Sequence, residues 1–317
     1  MPPWRAFSLE IPADDSPVAP ELTGVAFRRG QTYQTAGSAG PDGLTDEARM
    51  VNAALILRRP LLVTGDPGSG KSSLAYRIAY ELGLGAVLRW QVTSRSKLLD
   101  GLYSYDAVAR LHDAQLAKTD ARRRPVGHYI QLGPLGTALY PHRRPRVALI
   151  DEIDKGDFDL PNDLLNALDE GEFAIKQLVR PLAAKEETAQ VLTAERQSVR
   201  VRGGIVRCAN FPVIVMTSNG EREFPPAFLR RCLQLRIEHH KEPAHLGRVL
   251  RAQLPGVGDE AVADGIAEFV KSSRSGQFPV DQLLSAVFMV KDVGDRKLRE
   301  QLLKLAMQPI DGPQERE

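Results

Sequence analysis

Only two cysteines occur in the 317 residues, Cys208 and Cys232, and neither belongs to a C-x-x-C pair or lies near a run of histidines. Two separated thiols cannot build a disulfide framework or a four-ligand zinc site, so a reducing compartment is expected. Long apolar runs are missing as well, because no segment approaches the roughly 20 apolar residues of a membrane span. The opening stretch, MPPWRAFSLEIPADD, has one early arginine. Prolines and acids then interrupt it before the roughly 7 to 15 apolar residues of a signal core could form. A cytoplasmic protein without membrane insertion is the expectation. Net charge is nearly absent, +2 from 42 basic and 40 acidic residues, so no global field draws the chain onto nucleic acid. Aromatic residues make up only 6% of the chain, and none interleave with the basic clusters Arg122 to Arg124 and Arg143, Arg144 and Arg146. Those clusters are read as a solvated face or a subunit contact, not a nucleic-acid platform.

What is present is ordinary globular material, 43% hydrophobic and 26% charged, in a length that suits two domains. Residues 1 to about 40 are rich in Pro, Gly, Ser and Thr without a lasting period, and an irregular lead-in with at most one short strand is expected. From Thr45, as N-cap, DEARMVNAALILR has helical spacing and ends at Pro60. Short apolar runs follow, PLLVTG, AVLRWQV, RVALI, FPVIVMTSN and LRRCLQLRI, of the kind that form strands of a covered parallel sheet. Helical patterns separate them, in SSLAYRIAYELG, from Lys97 to Leu116, in PNDLLNALDEG, and briefly near Pro226. Between Phe173 and Phe211 helical signal is weak, and VRVRGGIVRC with Gly203 and Gly204 at its centre predicts a β-hairpin. Beyond Glu238 three helical stretches are predicted, near 244–254, 260–272 and 280–293. The spacing therefore gives an α/β core over 41–238, with insertions near 94–128 and 173–211, and a helical lid over 239–317.

Chemistry concentrates at four places. GDPGSGKS fits G-x-x-x-x-G-K-[ST] at Gly65, Gly70, Lys71 and Ser72, between a predicted strand and a predicted helix. Glycines at Gly65, Gly68 and Gly70 let backbone N–H groups of Asp66, Pro67's neighbours and Ser69 close on phosphate oxygens, with the helix dipole adding partial positive charge. Lys71 supplies full charge, Ser72 an oxygen for Mg²⁺, and Ser73 completes the loop. RVALIDEID places Asp151 and Glu152 at a strand's carboxyl end, where ligands of open α/β sheets collect. Asp151 is the second candidate metal ligand, and Glu152 the candidate base for an attacking water. Asn219 ends PVIVMTSN, where its amide could orient that water or simply cap the strand. Arg230 and Arg231 follow FPPAF; either guanidinium could reach a neighbouring subunit's γ-phosphate, or both could be surface arginines. The histidines are scattered apart from His239 and His240, and no metal centre besides that for Mg²⁺ is expected.

In these residues the chain resembles the AAA+ ATPases and, among them, the MoxR family. GDPGSGKS is similar to Walker A, VALIDEID to Walker B, PVIVMTSN to the sensor 1 strand and FPPAFLRRC to the arginine-finger segment. LLDGLYSYDAVARLHDAQ and LGPLGTAL also look like MoxR-type stretches. The resemblance covers about Leu44 to Ile237 well and the remainder loosely. It implies a P-loop AAA+ fold, a parallel sheet sandwiched by helices with a small α-helical lid. It further implies ATP and Mg²⁺ as ligands, a homo-oligomeric ring, usually hexameric, and a chaperone-like cycle that remodels a partner protein, often one with a von Willebrand factor A domain. One departure stands out. At the start of the third lid helix, where the family carries a sensor 2 arginine, this chain has Val280 and Asp281, and Arg274, a few residues upstream, is the candidate substitute. A slow-turnover, nucleotide-gated switch in a bacterial defence or stress system is therefore the alternative, and a nucleic-acid motor ranks behind both.

Overall fold

The computed structural model describes residues 17–35, 39–116, 124–182, 188–237, 242–273 and 279–307. Contacts divide the chain into two units, one drawn from 1–30, 50–64 and 72–235, the other from 31–49, 65–71 and 236–317. Arg122, Arg123, His239, His240 and Arg274 lie outside the described residues.

The first unit is built on the predicted apolar runs. They form β1 (Leu61–Thr64), β2 (Leu88–Gln91), β5 (Val147–Asp151), β10 (Val213–Ser218) and β11 (Leu233–Arg236), in one sheet of order β11-β1-β10-β5-β2. The pairs β1/β10, β10/β5 and β2/β5 are all parallel. Every residue of β5 and β10 is buried, as continuous Val/Ile/Leu runs require when both faces of a sheet are covered. The helix read from Thr45 is α2 (Asp46–Leu57), ahead of β1. Helices α3 (Lys71–Leu82) and α7 (Leu160–Glu170) follow β1 and β5 in the chain, and the short α6 (Pro134–Ala138) precedes β5. On α7, Leu164 and Leu168 join a core cluster with Ile150, Ile214 and Met216. The sandwich expected for a P-loop fold is thus present.

Between these strands the local reading needs correction. The lead-in expected to be irregular contains α1 (Gly24–Thr32), and the residues before it include 1–16, outside the described set. The single helix expected from Lys97 to Leu116 is two, α4 (Leu98–Leu102) and α5 (Ala107–Leu116), joined through strand β3 (Tyr103–Tyr105). Tyr103 and Tyr105 pair antiparallel with Leu132 and Ile130 of β4 (Ile130–Leu132), which outweighs helical spacing in that short stretch. The hairpin expected at Gly203 and Gly204 has a different partner: β7 (Thr188–Leu192) pairs antiparallel with β8 (Ser198–Arg202) across 193–197. Beyond the two glycines, β9 (Ile205–Arg207) pairs instead with β6 (Glu172–Ala174). A helix, α8 (Lys176–Leu182), also occurs where little helical signal is visible.

Arg146, only 2% exposed, enters β5 and is held by a bidentate contact with Glu195, Nη1 to Oε2 at 3.0 Å and Nη2 to Oε1 at 2.5 Å, with Nη2 also donating to the Ala86 carbonyl. Removing one partner strands a buried guanidinium. Glu195→Ala should therefore lower unfolding free energy by about 2–3 kcal/mol, less than a fully dry pair because Glu195 keeps some water contact. Urea denaturation checks this; a loss below about 0.5 kcal/mol, the usual size for a surface pair, would contradict it.

In the second unit α10 (Pro243–Gln253), α11 (Asp259–Ser272), α12 (Val280–Met289) and α13 (Arg296–Ala306) share their own core, centred on Leu246, Phe269, Leu283, Val287 and Leu303. Three helices are expected beyond Glu238, and the described residues there form four. Asp295 caps α13 by accepting from the Lys297 backbone N–H at 2.8 Å, and Arg299 locks the helix onto α11 through Asp264 at 2.7 Å. No helix among the described residues is long and apolar enough to cross a membrane.

Candidate functional site

The loop GDPGSGKS takes the conformation its glycines permit. Gly65, Gly68 and Gly70 have φ of 149°, 76° and 88°. At Gly65 a Cβ would lie 2.1 Å from the Ile237 carbonyl oxygen, so the position admits glycine alone on space as well as on φ. Lys71 is 7% exposed, and its Nζ donates to the Gly65 and Asp66 carbonyls at 2.8 and 2.7 Å. The loop thus folds around its own ammonium group. Within it Ser69 Oγ is buried without a hydrogen-bond partner among the described residues, an orphan that a phosphate oxygen could satisfy. Tyr33 lies against Gly70 and donates to Glu47 at 2.8 Å, and Pro279 and Asp281 lie against Gly68.

Ser72, next in the chain, belongs to the first unit, and its hydroxyl donates to Asp151 Oδ1 at 2.6 Å. Thr217, in β10 beside β5, donates to the same oxygen at 2.7 Å and accepts the Glu152 backbone N–H at 2.9 Å. One hydroxyl therefore fixes both acids. Arg89 of β2 binds Asp151 Oδ2, with Nε at 3.0 Å and Nη2 at 2.6 Å. Burial alone would raise the Asp151 pKa, but these hydroxyls and the guanidinium outweigh it and hold the carboxyl below its ordinary range. It stays ionised at neutral pH.

Glu152 has φ 59° and ψ 51°, a left-handed conformation that costs a non-glycine residue about 1–2 kcal/mol. Both of its carboxylate oxygens are engaged, Oε2 by Gln91 Nε2 at 2.7 Å and Oε1 by Lys155 Nζ at 3.0 Å. Asn219 lies at the end of β10, where Asp154 Oδ2 accepts its backbone N–H at 2.9 Å and that of Glu221 at 3.2 Å. The Asn219 carboxamide itself has no hydrogen bond among the described residues. Arg231 is committed to Asp169 at 2.6 Å and to the Ala227 carbonyl at 3.3 Å. Arg230 is exposed, and its guanidinium has no partner among the described residues.

The first unit thus gathers Ser72, Asp151 and Glu152, with Asn219 on the neighbouring strand end. Sequence reasoning missed Thr217, Arg89, Gln91, Asp154 and Lys155. The acid three residues after Asp151 and the Thr two before Asn219 were visible signals; Arg89 and Gln91 were not, since only the register Gln91 to Asp151 brings them there. In the basic cluster near β5, Arg143 and Arg144 are exposed, with Arg144 donating to the Leu82 and Gly83 carbonyls, and Arg146 is buried.

Thr217→Val keeps shape but leaves the Glu152 N–H and one Asp151 lone pair unmet, at a cost of about 1–3 kcal/mol. Stability by that amount, and turnover, should fall together in Thr217→Val and return in Thr217→Ser. Equal stability of all three proteins in denaturant would argue against the double bond of this hydroxyl.

No curated protein sequence matches the chain. Among solved structures it is similar to NtrX from Brucella abortus in complex with ATP, at 13% identity and a TM-score of 0.43, covering 88% of this chain and 58% of that one. It is also similar to a variant of RuvB from Thermotoga maritima, at 15% identity and a TM-score of 0.44, covering 89% and 72%. The chain spans less than two thirds of the NtrX chain. The AAA domain of the dynein-related subfamily matches residues 60–232, more than half of the 317 and the stretch that runs from the start of β1 to the edge of β11. With the phosphate loop, the acidic pair and four of the five strands of the central sheet inside that match, the chain belongs to the dynein-related subfamily of AAA domains.

Proposed function

We propose that this AAA ATPase is of the MoxR type: a cytoplasmic, ring-forming protein that binds Mg-ATP and uses its hydrolysis to remodel or activate a partner protein. The observation that carries the ATPase part is the Ser72, Asp151 and Glu152 arrangement, a hydroxyl and an ionised carboxylate bonded at 2.6 Å with a second carboxylate one residue on. An alcohol oxygen and a carboxylate oxygen form a hard donor set that suits Mg²⁺ and not a soft metal. When bound there, Mg²⁺ would neutralise phosphate charge. Lys71 and the backbone N–H groups between Gly65 and Ser73, Pro67 having none, would hold the phosphates, Glu152 would take a proton from the attacking water, and Asn219 would orient that water. A calorimetric titration with ATP and Mg²⁺ tests this first step. Saturable heat is expected, and its absence overturns the reading.

Partner remodelling is supported by the MoxR-like stretch in α4, β3 and α5. On α5, Val108 and Leu111 are 79% and 62% exposed at helical spacing, and no residue of that helix is buried. A von Willebrand factor A domain protein is the partner class the resemblance favours. A pull-down with a Glu152→Gln trap loaded with ATP, compared with the ADP-loaded protein, tests it: an ATP-dependent partner is expected, and identical captures in both states count against remodelling.

The switch reading is favoured by two features, both oxygens of Glu152 being occupied by Gln91 and Lys155, and the acid Asp281, not a base, lying against Gly68. Brisk turnover of the isolated protein would eliminate the switch; turnover that rises only with a partner would favour it.

A further inference from the structure

We propose that Arg89 is a tethered competitor for the divalent cation: its guanidinium holds Asp151 Oδ2 until a metal takes that oxygen, so that metal binding is an exchange of cations on one carboxylate. The inference rests on the ATPase reading above.

Four observations lead to it. Asp151 has no free acceptor position, since Oδ1 takes the Ser72 and Thr217 hydroxyls and Oδ2 takes two N–H groups of Arg89. A metal approaching Oδ2, directly or through a bound water, meets N–H hydrogens already pointed at the lone pairs, and the two cations repel each other at that distance. Next, the partners differ in freedom, the Asp151 side chain being 5% exposed and that of Arg89 46%. The carboxylate is fixed by β5 and Thr217, so the arginine is the partner that moves. Third, β2 alternates buried and exposed residues, which places Arg89 and Gln91 on one side of the sheet. Fourth, Arg89 Nη2 also donates to Gln91 Oε1, while Gln91 Nε2 donates to Glu152 Oε2. Arg89 therefore touches the metal ligand directly and the candidate base through one intervening amide. When the guanidinium leaves Asp151, the Gln91 side chain loses a partner that orients it, and the hold on Glu152 loosens in the same event. A phosphate loop loaded without metal would leave this latch closed.

Arg89→Met removes the competitor while keeping the stem. The test is Mn²⁺ binding followed by electron paramagnetic resonance, with the protein saturated in ADP, alongside thermal unfolding with and without Mn²⁺. The Mn²⁺ dissociation constant should fall roughly fivefold in Arg89→Met, the scale of an ion pair half open to water. The metal-free protein should unfold earlier than wild type and gain more from added Mn²⁺. Arg89→Lys keeps a cation within reach and should bind Mn²⁺ about as wild type does; it carries the test alone, by comparison with Arg89→Gln, if the Met variant does not fold. Unchanged or weaker Mn²⁺ binding in the neutral variants would overturn the proposal and make Arg89 a permanent support of Asp151. Failure of wild type and variants alike to bind ADP or Mn²⁺ would instead overturn the ATPase reading beneath it.

Discussion

Glu152→Gln should leave ATP binding intact and lower turnover by about 10³-fold, within the range that a positioned general base contributes. The reason lies in what the substitution preserves. Glutamine has the length and shape of glutamate, and the backbone of residue 152 is set by the Thr217 hydroxyl on its N–H and by a left-handed turn, not by its carboxylate. The amide can still accept from Lys155, so the side chain keeps a place to rest. What it cannot do is take a proton from water. Nucleotide contacts from the loop, Ser72 and Asp151 are untouched, and loss of one negative charge near a polyphosphate should tighten ATP binding slightly. Single-turnover hydrolysis and equilibrium binding of the same preparation separate the two effects. A variant that hydrolyses ATP at the wild-type rate would remove Glu152 from the base role.

The parts of this site legible in the sequence are those whose chemistry is local. A loop that must bend through Gly65, Gly68 and Gly70 and then start a helix is written in eight consecutive residues, and an acid pair at the end of VALI shows its place by the apolar run before it. The sheet was legible for the same reason. What escaped depends on partners far away in the chain. Helix α1 has a weak local pattern, and it stands because Gly30 packs where a Cβ would lie 2.5 Å from the Tyr76 carbonyl, because Arg29 sits 4.4 Å from the Tyr76 ring centroid and because Phe27 meets Tyr80 edge-on at 5.2 Å. Helix α8 contains Pro181, which lowers any propensity estimate, yet Ile175 and Leu178 are buried and carry it into the core. The Gly203 and Gly204 turn was recognised as a turn; its flanking strands chose other partners, a matter of register that alternation alone does not decide. Helix α13 is different, since Asp295 ahead of RKLREQLLKLA is an ordinary cap before a periodic run, and that signal was there to be read.

Arg230→Ala should lower turnover by about 10³-fold, the lower end of what an arginine finger supplies, while Arg231→Ala keeps most of it. Sequence alone leaves the two equivalent, and their side-chain partners separate them. Arg231 is tied to Asp169 of α7 and to its own helix α9 (Pro226–Leu229), so it holds the segment in place; its pair with Asp169 is half exposed on both sides, and breaking it should cost no more than about 1 kcal/mol. Arg230 has its guanidinium in solvent, and among the described residues only its backbone is engaged, the N–H donating to the Pro226 carbonyl at 3.1 Å and the carbonyl accepting from Arg59 Nη1 at 3.5 Å. A guanidinium left in water carries the full entropy of its side chain, a poor arrangement for stability and a suitable one for a group that is ordered only on meeting another subunit's γ-phosphate. If it acts in that way, mixing resolves it. Arg230→Ala subunits keep an intact Glu152, and Glu152→Gln subunits keep an intact Arg230, so a mixed ring contains some complete sites although neither protein alone turns over. Recovery of hydrolysis on mixing, with a maximum near equal proportions, is the expected result. Two inactive proteins that stay inactive together, while each still binds ATP and assembles, would place Arg230 within its own subunit's site and end its assignment as a group acting between subunits.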